Sequence, residues 1–177
     1  TEDTIVGVDS RHVLVHDPRS GADAPAQSSV RRFRVTPDAA LDPDERGSQA
    51  ALFECLGNEA LEWVLQGFNA TVIAHGEAGS GKTYSLFGPN GVLGRSFEQQ
   101  ALCGRMLETL YGLMTPSSPL SLSVSCWEVR HSGVADLLAP GEGAAPSAAA
   151  DFAAVHAPSL QDALQLVALG LSRSLNW

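Results

Sequence analysis

Gly76-Glu77-Ala78-Gly79-Ser80-Gly81-Lys82-Thr83 has the spacing GxxxxGK[ST], a pattern whose residue types each suit the binding of phosphate. Its glycines let the backbone curl so that N–H groups converge on anionic oxygens. A helix starting at the end of the loop would add its unpaired N–H groups and the positive end of its dipole. Lys82 would carry a mobile ammonium to the β and γ phosphates of a nucleotide. The hydroxyl of Thr83 is a hard oxygen suited to Mg²⁺. Lys82 is the single lysine of the chain, the other ten basic residues being arginines. Arginine replaces lysine readily at a solvated site, but not where a compact point charge must slip beside phosphates.

Such a loop has to be held between a strand and a helix. Residues 69–76, NATVIAHG, form a short apolar run that predicts a strand buried on both faces. A helix is expected to begin near Lys82. Upstream, TIVGVDSRHVLVHDP alternates apolar and polar residues and predicts a hairpin turning near Asp9-Ser10. VRRFRV predicts another strand. Residues 48–67 place Leu52, Leu56, Leu61, Val64 and Leu65 at helical spacing, with Gly57 as a break and Gly67 as a stop. Downstream, a helix is expected over about 95–114 and a strand over PLSLSVSCWEV. GVADLLAP reads as a turn or short helix. A final helix starts at Ser159, with Asp162 placed for a capping box. Residues 19–29 and 139–150, rich in small residues and proline, read as loops. Phe53, Trp63, Phe68, Phe97 and Trp127 are expected in the core.

The totals narrow the partners. The 177 residues suit one domain or a large part of one, with 44% hydrophobic and 18% charged residues. A net charge of −9 argues against nucleic acid and against an anionic membrane surface. No apolar run reaches the roughly 18 residues of a membrane helix. Cys55, Cys103 and Cys126 show no metal-ligand spacing and read as reduced, buried thiols. His12, His16, His75, His131 and His156 have no ligand spacing with cysteines or carboxylates. The chain does not begin with Met and reads as a piece of something longer.

The residues also resemble a family. GFNATVIAHGEAGSGKTYSLFG is similar to the P-loop region of the kinesin motor domain. RRFRV, residues 48–67, GRSFEQQALCGRMLETL, LSVSCWEVRHSGVADLLAP and SLQDALQLVALGLSRS resemble successive later and earlier segments of the same domain. The similarity therefore spans nearly the whole chain. It implies an α/β P-loop NTPase fold with a central mixed sheet flanked by helices, residues 1–177 forming part of one motor domain. It implies that Gly76, Glu77, Ala78, Gly79, Ser80, Gly81, Lys82 and Thr83 hold the phosphates of ATP, with Thr83 ligating Mg²⁺ and Tyr84 near adenine. It further implies microtubules as partner, a cytoplasmic and cytoskeletal location, and hydrolysis of the β–γ bond of ATP in the complete protein.

The sequence departs from the family pattern in several places. The adenine-contacting RxRP strand is absent. His75 stands for the usual Tyr, Glu77 for Gln and Ala78 for Thr. A carboxylate at position 77 costs little if it faces solvent and repels phosphates if it does not. The chain is expected to end before switch I and switch II, which supply groups that phosphoryl transfer requires. No catalytic residue is therefore assigned within it, and nucleotide binding is the most it is expected to do alone. Two readings stand beside the motor. One is a kinesin-like scaffold that has lost turnover. The other is an unrelated P-loop enzyme such as a small-molecule kinase, which the strands preceding the P-loop disfavour.

Overall fold

In the computed structural model, the described residues are 5–8, 12–16, 30–34, 48–89, 100–115, 120–131, 133–140 and 152–174. The chain divides into two compact units, Thr1–Cys55 and Leu56–Trp177. The first holds an antiparallel sheet of β1 (Ile5–Val8), β2 (His12–His16) and β3 (Val30–Arg34), in that order. The expected hairpin and third strand are thus present. Val8 faces Val13 across the first pair, and Val13 faces Phe33 across the second. The β1 register shifts between Ile5 and Gly7. The turn at Asp9-Ser10 and residues 19–29 lie outside the described residues.

The helical pattern of residues 48–67 is realised without the break expected at Gly57. Helix α1 (Ser48–Leu52) runs into a π-helical turn, Phe53–Gly57, and that into α2 (Asn58–Leu65). Gly57 keeps right-handed helical angles, so the widened turn absorbs the irregularity. The division between the units falls inside this turn. Gly67 ends α2 at φ +91°, donating to the Val64 carbonyl at 2.9 Å while Phe68 donates to that of Trp63 at 3.0 Å. That pair of bonds is a Schellman stop, and the left-handed angle is why glycine stands there.

In the second unit, α3 (Lys82–Phe87) packs on α4 (Leu102–Leu113), and α4 packs on α5 (Leu160–Arg173). Helix α4 starts later than expected: Ala101 is extended and Gln100 is not helical, while residues 95–99 lie outside the described set. Helix α5 starts as expected. The Ser159 hydroxyl oxygen accepts from the Asp162 N–H at 3.2 Å and the hydroxyl donates to the Asp162 carboxylate. Leu102, 2% exposed, and Ala163, fully buried, lie at the centre of this layer. Burying a leucine of this kind is worth roughly 2 kcal/mol by transfer.

The predicted strand 119–129 is in fact two. β4 (Ser123–Val124) pairs with β7 (Val155–His156), and β5 (Trp127–Arg130) pairs with β6 (Gly133–Asp136), both antiparallel. The chain changes partner at Ser125-Cys126. The Cys126 carbonyl accepts from Leu137 N at 2.8 Å, and a Cβ on Gly170 of α5 would come within 2.7 Å of the Cys126 side chain. The helix therefore rests on the point where the strand breaks. The segment read as a turn or helix begins with a strand, β6, because its residues pair back on β5.

Candidate phosphate-binding site

The glycine loop adopts the backbone that its sequence demands. Gly76, Gly79 and Gly81 have φ of 155°, 79° and 89°. At Gly76 an added Cβ would meet the Ser80 hydroxyl oxygen at 2.5 Å, so both the angle and the close approach require glycine. Ser80 N closes a turn on the Glu77 carbonyl at 3.2 Å. Ser85 N bonds the Gly81 carbonyl at 2.8 Å as α3 begins. Lys82 reaches back across the loop: its Nζ donates to the Gly76 carbonyl at 3.0 Å and to that of Glu77. Lysine and loop are thus brought together by the fold.

The site fits an anion at its helical end. The N-cap of α3 is Gly81, which has no side chain to cap the helix. The first-turn N–H groups of a helix have no partner within it. A Cβ on Gly79 or Gly81 would meet nothing within 4 Å, so that side of the loop is open. Thr83 is exposed beside this end and offers the hydroxyl that a hard divalent cation prefers. Glu77 and Ala78 are exposed too. Glu77 joins the loop's bonding through its backbone carbonyl, twice accepted upon, and the residue itself lies open to water. Tyr84 is 49% exposed, so it is not the core aromatic that its place on the first turn could have made it.

The strand expected to carry the loop is not formed. Residues 68–76 belong to no ladder, and Ile73 is 80% exposed. A run apolar enough to be buried on both faces needs neighbours on both edges, and none of the described strands pairs with it. Three aromatics assigned to the core are likewise open: Trp63 at 47%, Phe68 at 57% and Trp127 at 55% exposure. Phe53 is buried as expected, and Phe97 is outside the described residues. Trp63 and Phe68 meet edge to face at 5.3 Å, and Trp127 stacks on Phe152 at 5.6 Å. A depression of about 440 Å³ lies along α2 and the residues that follow it, lined by Leu56, Ala60, Trp63, Phe68 and Val72 among others. None of its lining residues belongs to the glycine loop.

The thiols differ from one another. Cys55 is exposed, against expectation, because it sits on the π turn with its face to solvent. Cys103 is pushed up to about 11 by burial and then by Cys126 nearby, which makes it a poor nucleophile at neutral pH. Among the described residues no three His, Cys, Asp or Glu gather to hold a metal. Sequence reasoning gave no role to Asp136. It accepts from Leu138 N at 2.9 Å, Ala139 N at 3.2 Å and Ala153 N at 2.6 Å. Burial would raise its pKa, but these three N–H groups outweigh burial and hold it below the usual carboxylate range.

Comparison with known proteins points to one family. The family model described as the kinesin motor domain matches residues 5–164. Kinesin-like protein KIN-12B of Arabidopsis thaliana is 34% identical over 123 residues, covering 63% of this chain and 9% of its own length. Human kinesin-like protein KIF13A is 35% identical over 92 residues, covering 52% of this chain and 5% of its own. The structure of a fast kinesin superposes with a TM-score of 0.71 at 18% identity, over 97% of this chain and 47% of that one. A KIF14 segment solved with ADP in complex with a microtubule gives 0.68 at 20%, over 97% and 50%. The chain thus spans about half of each solved motor and a smaller share of the curated relatives. Its fold is the α/β P-loop fold of those motors, and the chain belongs to the kinesin motor-domain family.

Proposed function

We propose that this chain binds the phosphates of ATP with Mg²⁺ through Gly76–Thr83, as the nucleotide-binding part of a kinesin-like microtubule motor. The observation that carries this reading is the loop itself: three glycines at positive φ, an uncapped helix start, and Lys82 drawn onto the loop carbonyls. Lys82 would leave those carbonyls to meet the β and γ phosphates, and the first-turn N–H groups of α3 would hold their oxygens. Thr83 would give its hydroxyl to Mg²⁺, which when bound neutralises phosphate charge. Tyr84, 49% exposed on the first turn of α3, would pack against the base. Residues 1–177 would form part of one motor domain, acting at the cytoskeleton in the cytoplasm with the microtubule as partner. Coupling of ATP hydrolysis to movement belongs to the longer protein.

A second reading, a kinesin-like scaffold without turnover, draws support from Glu77 and Ala78, which stand where the family pattern has Gln and Thr. Calorimetric titration of Mg²⁺-ATP into the chain and into Lys82→Ala tests the proposal. Binding that the substitution weakens at least tenfold is the expected result, since a hydrogen bond to a charged group is worth about 1.5–3 kcal/mol. No binding by a folded chain would overturn it and leave the scaffold as the better account.

A further inference from the structure

The C-terminal end of α5 is gripped by groups that take no part in the phosphate loop. Glu128 on β5 is 9% exposed. Its Oε2 accepts from Arg130 Nε at 2.7 Å, and its Oε1 accepts from the Ser174 hydroxyl at 2.6 Å. Arg130 also donates Nη2 to the Arg173 carbonyl at 3.3 Å. Arg173 in turn donates Nη1 to the carbonyls of Leu137 at 3.0 Å and Ala139 at 3.3 Å. Two guanidinium groups therefore stand at the negative end of the helix dipole, one of them on a last-turn carbonyl.

This grip is unlike the one that holds the rest of the helix. Ala163, Val167 and Gly170 are buried, with Gly170 against Cys126. Beyond Gly170 no residue of α5 is buried, and Ser172 and Arg173 are exposed. The last turn is held by charge-assisted hydrogen bonds, and the Arg130 side chain is 25% exposed. Contacts of that kind weaken with salt, whereas buried apolar contacts do not.

We propose that Glu128, Arg130 and Arg173 form a polar latch that holds the last turn of α5 closed independently of the body of the helix. Opening the latch frees the last turn while the body of α5 and the β5–β6 hairpin stay folded. The proposal does not depend on nucleotide binding. Hydrogen exchange on the full chain tests it, comparing the unaltered protein with Arg130→Gln, each with and without about 1 M NaCl. The expected result is exchange roughly tenfold or more faster at the amides of Arg173 and Ser174 in the variant, with Ala163 to Val167 unchanged. Salt should act in the same place on the unaltered chain, and add little in the variant. Exchange rising evenly along α5, or no change at 173–174 in either arm, would overturn the latch. If Arg130→Gln does not fold, the salt response of the unaltered chain decides by the same criterion.

Discussion

The glycine loop with its approach, residues 68–88, and the region from β4 to α5 are built in opposite ways. In the first, α3 packs on α4, but the loop itself is bonded to its own neighbours in sequence. Its bonds run from Ser80 to Glu77, from Ser85 to Gly81 and from Lys82 to Gly76 and Glu77, and its apolar run stands open. The second is held by groups distant in sequence. Tyr111 on α4 donates to the Ala157 carbonyl at 2.6 Å, Arg173 to Leu137, Ser174 to Glu128, and Asp136 gathers Ala153. A local backbone shape can be written into a few residues, whereas a buried strand exists only when partners for both edges are present.

Substitutions at Lys82, Asp136, Gly170 and Ile73 would break or sharpen that contrast. Lys82→Ala should have the largest effect on binding, weakening Mg²⁺-ATP by about 10- to 100-fold. It should lower thermal stability by about 1 kcal/mol without abolishing folding, because its two bonds to the loop carbonyls are lost. A loss of folding in the thermal melt would mean that the loop is not self-contained. Asp136→Ala should lower stability by roughly 2–4 kcal/mol in urea unfolding, because three backbone N–H groups lose their shared acceptor. The pH dependence has a definite sign. The folded pKa lies below the ordinary one, so this stabilisation is full above the unfolded-state pKa of about 3.9 and is lost as pH falls towards the folded value. Asp136→Asn should remove that part of the acid response.

Gly170→Ala should cost about 1–3 kcal/mol, since its Cβ would lie 2.7 Å from both Cys126 side-chain atoms. Circular dichroism melts of this variant beside Gly112→Ala, where a Cβ meets nothing within 4 Å, separate crowding from helix propensity. The smallest effect belongs to Ile73→Thr, expected within about 0.5 kcal/mol of the parent because the residue is exposed. A loss above roughly 1.5 kcal/mol would show that residues 69–76 are buried in solution, and the contrast between the two regions would fail.

The same contrast explains what the sequence could disclose. The glycine loop, the Schellman stop at Gly67 and the Ser159 cap were legible because each is a local device, fixed by one φ angle or one short hydrogen bond. Periodicity also located α2, β1, β2, β3 and the body of α5. It could not reveal that PLSLSVSCWEV changes partner at Cys126, because alternation continues through a break imposed by Leu137 and Gly170 from elsewhere. Nor could it reveal that Trp63, Phe68 and Trp127 are open to solvent. An apolar side chain at the right spacing states a preference for burial, and only a neighbour can satisfy it. Asp136 went unassigned for a related reason: a lone carboxylate carries no sign in sequence of the backbone groups it will collect.

That carboxylate also governs how the chain can vary. Ala139 and Ala153 both donate to Asp136, so the two ends of the stretch between them are brought to one point by a single side chain. The entropy of closing a loop between two fixed points grows only with the logarithm of its length. Doubling it would cost about 0.6 kcal/mol. Holding Ala139 and Ala153 to one carboxylate thus makes the placing of the hairpin insensitive to the number of residues between them, so long as position 136 remains an aspartate.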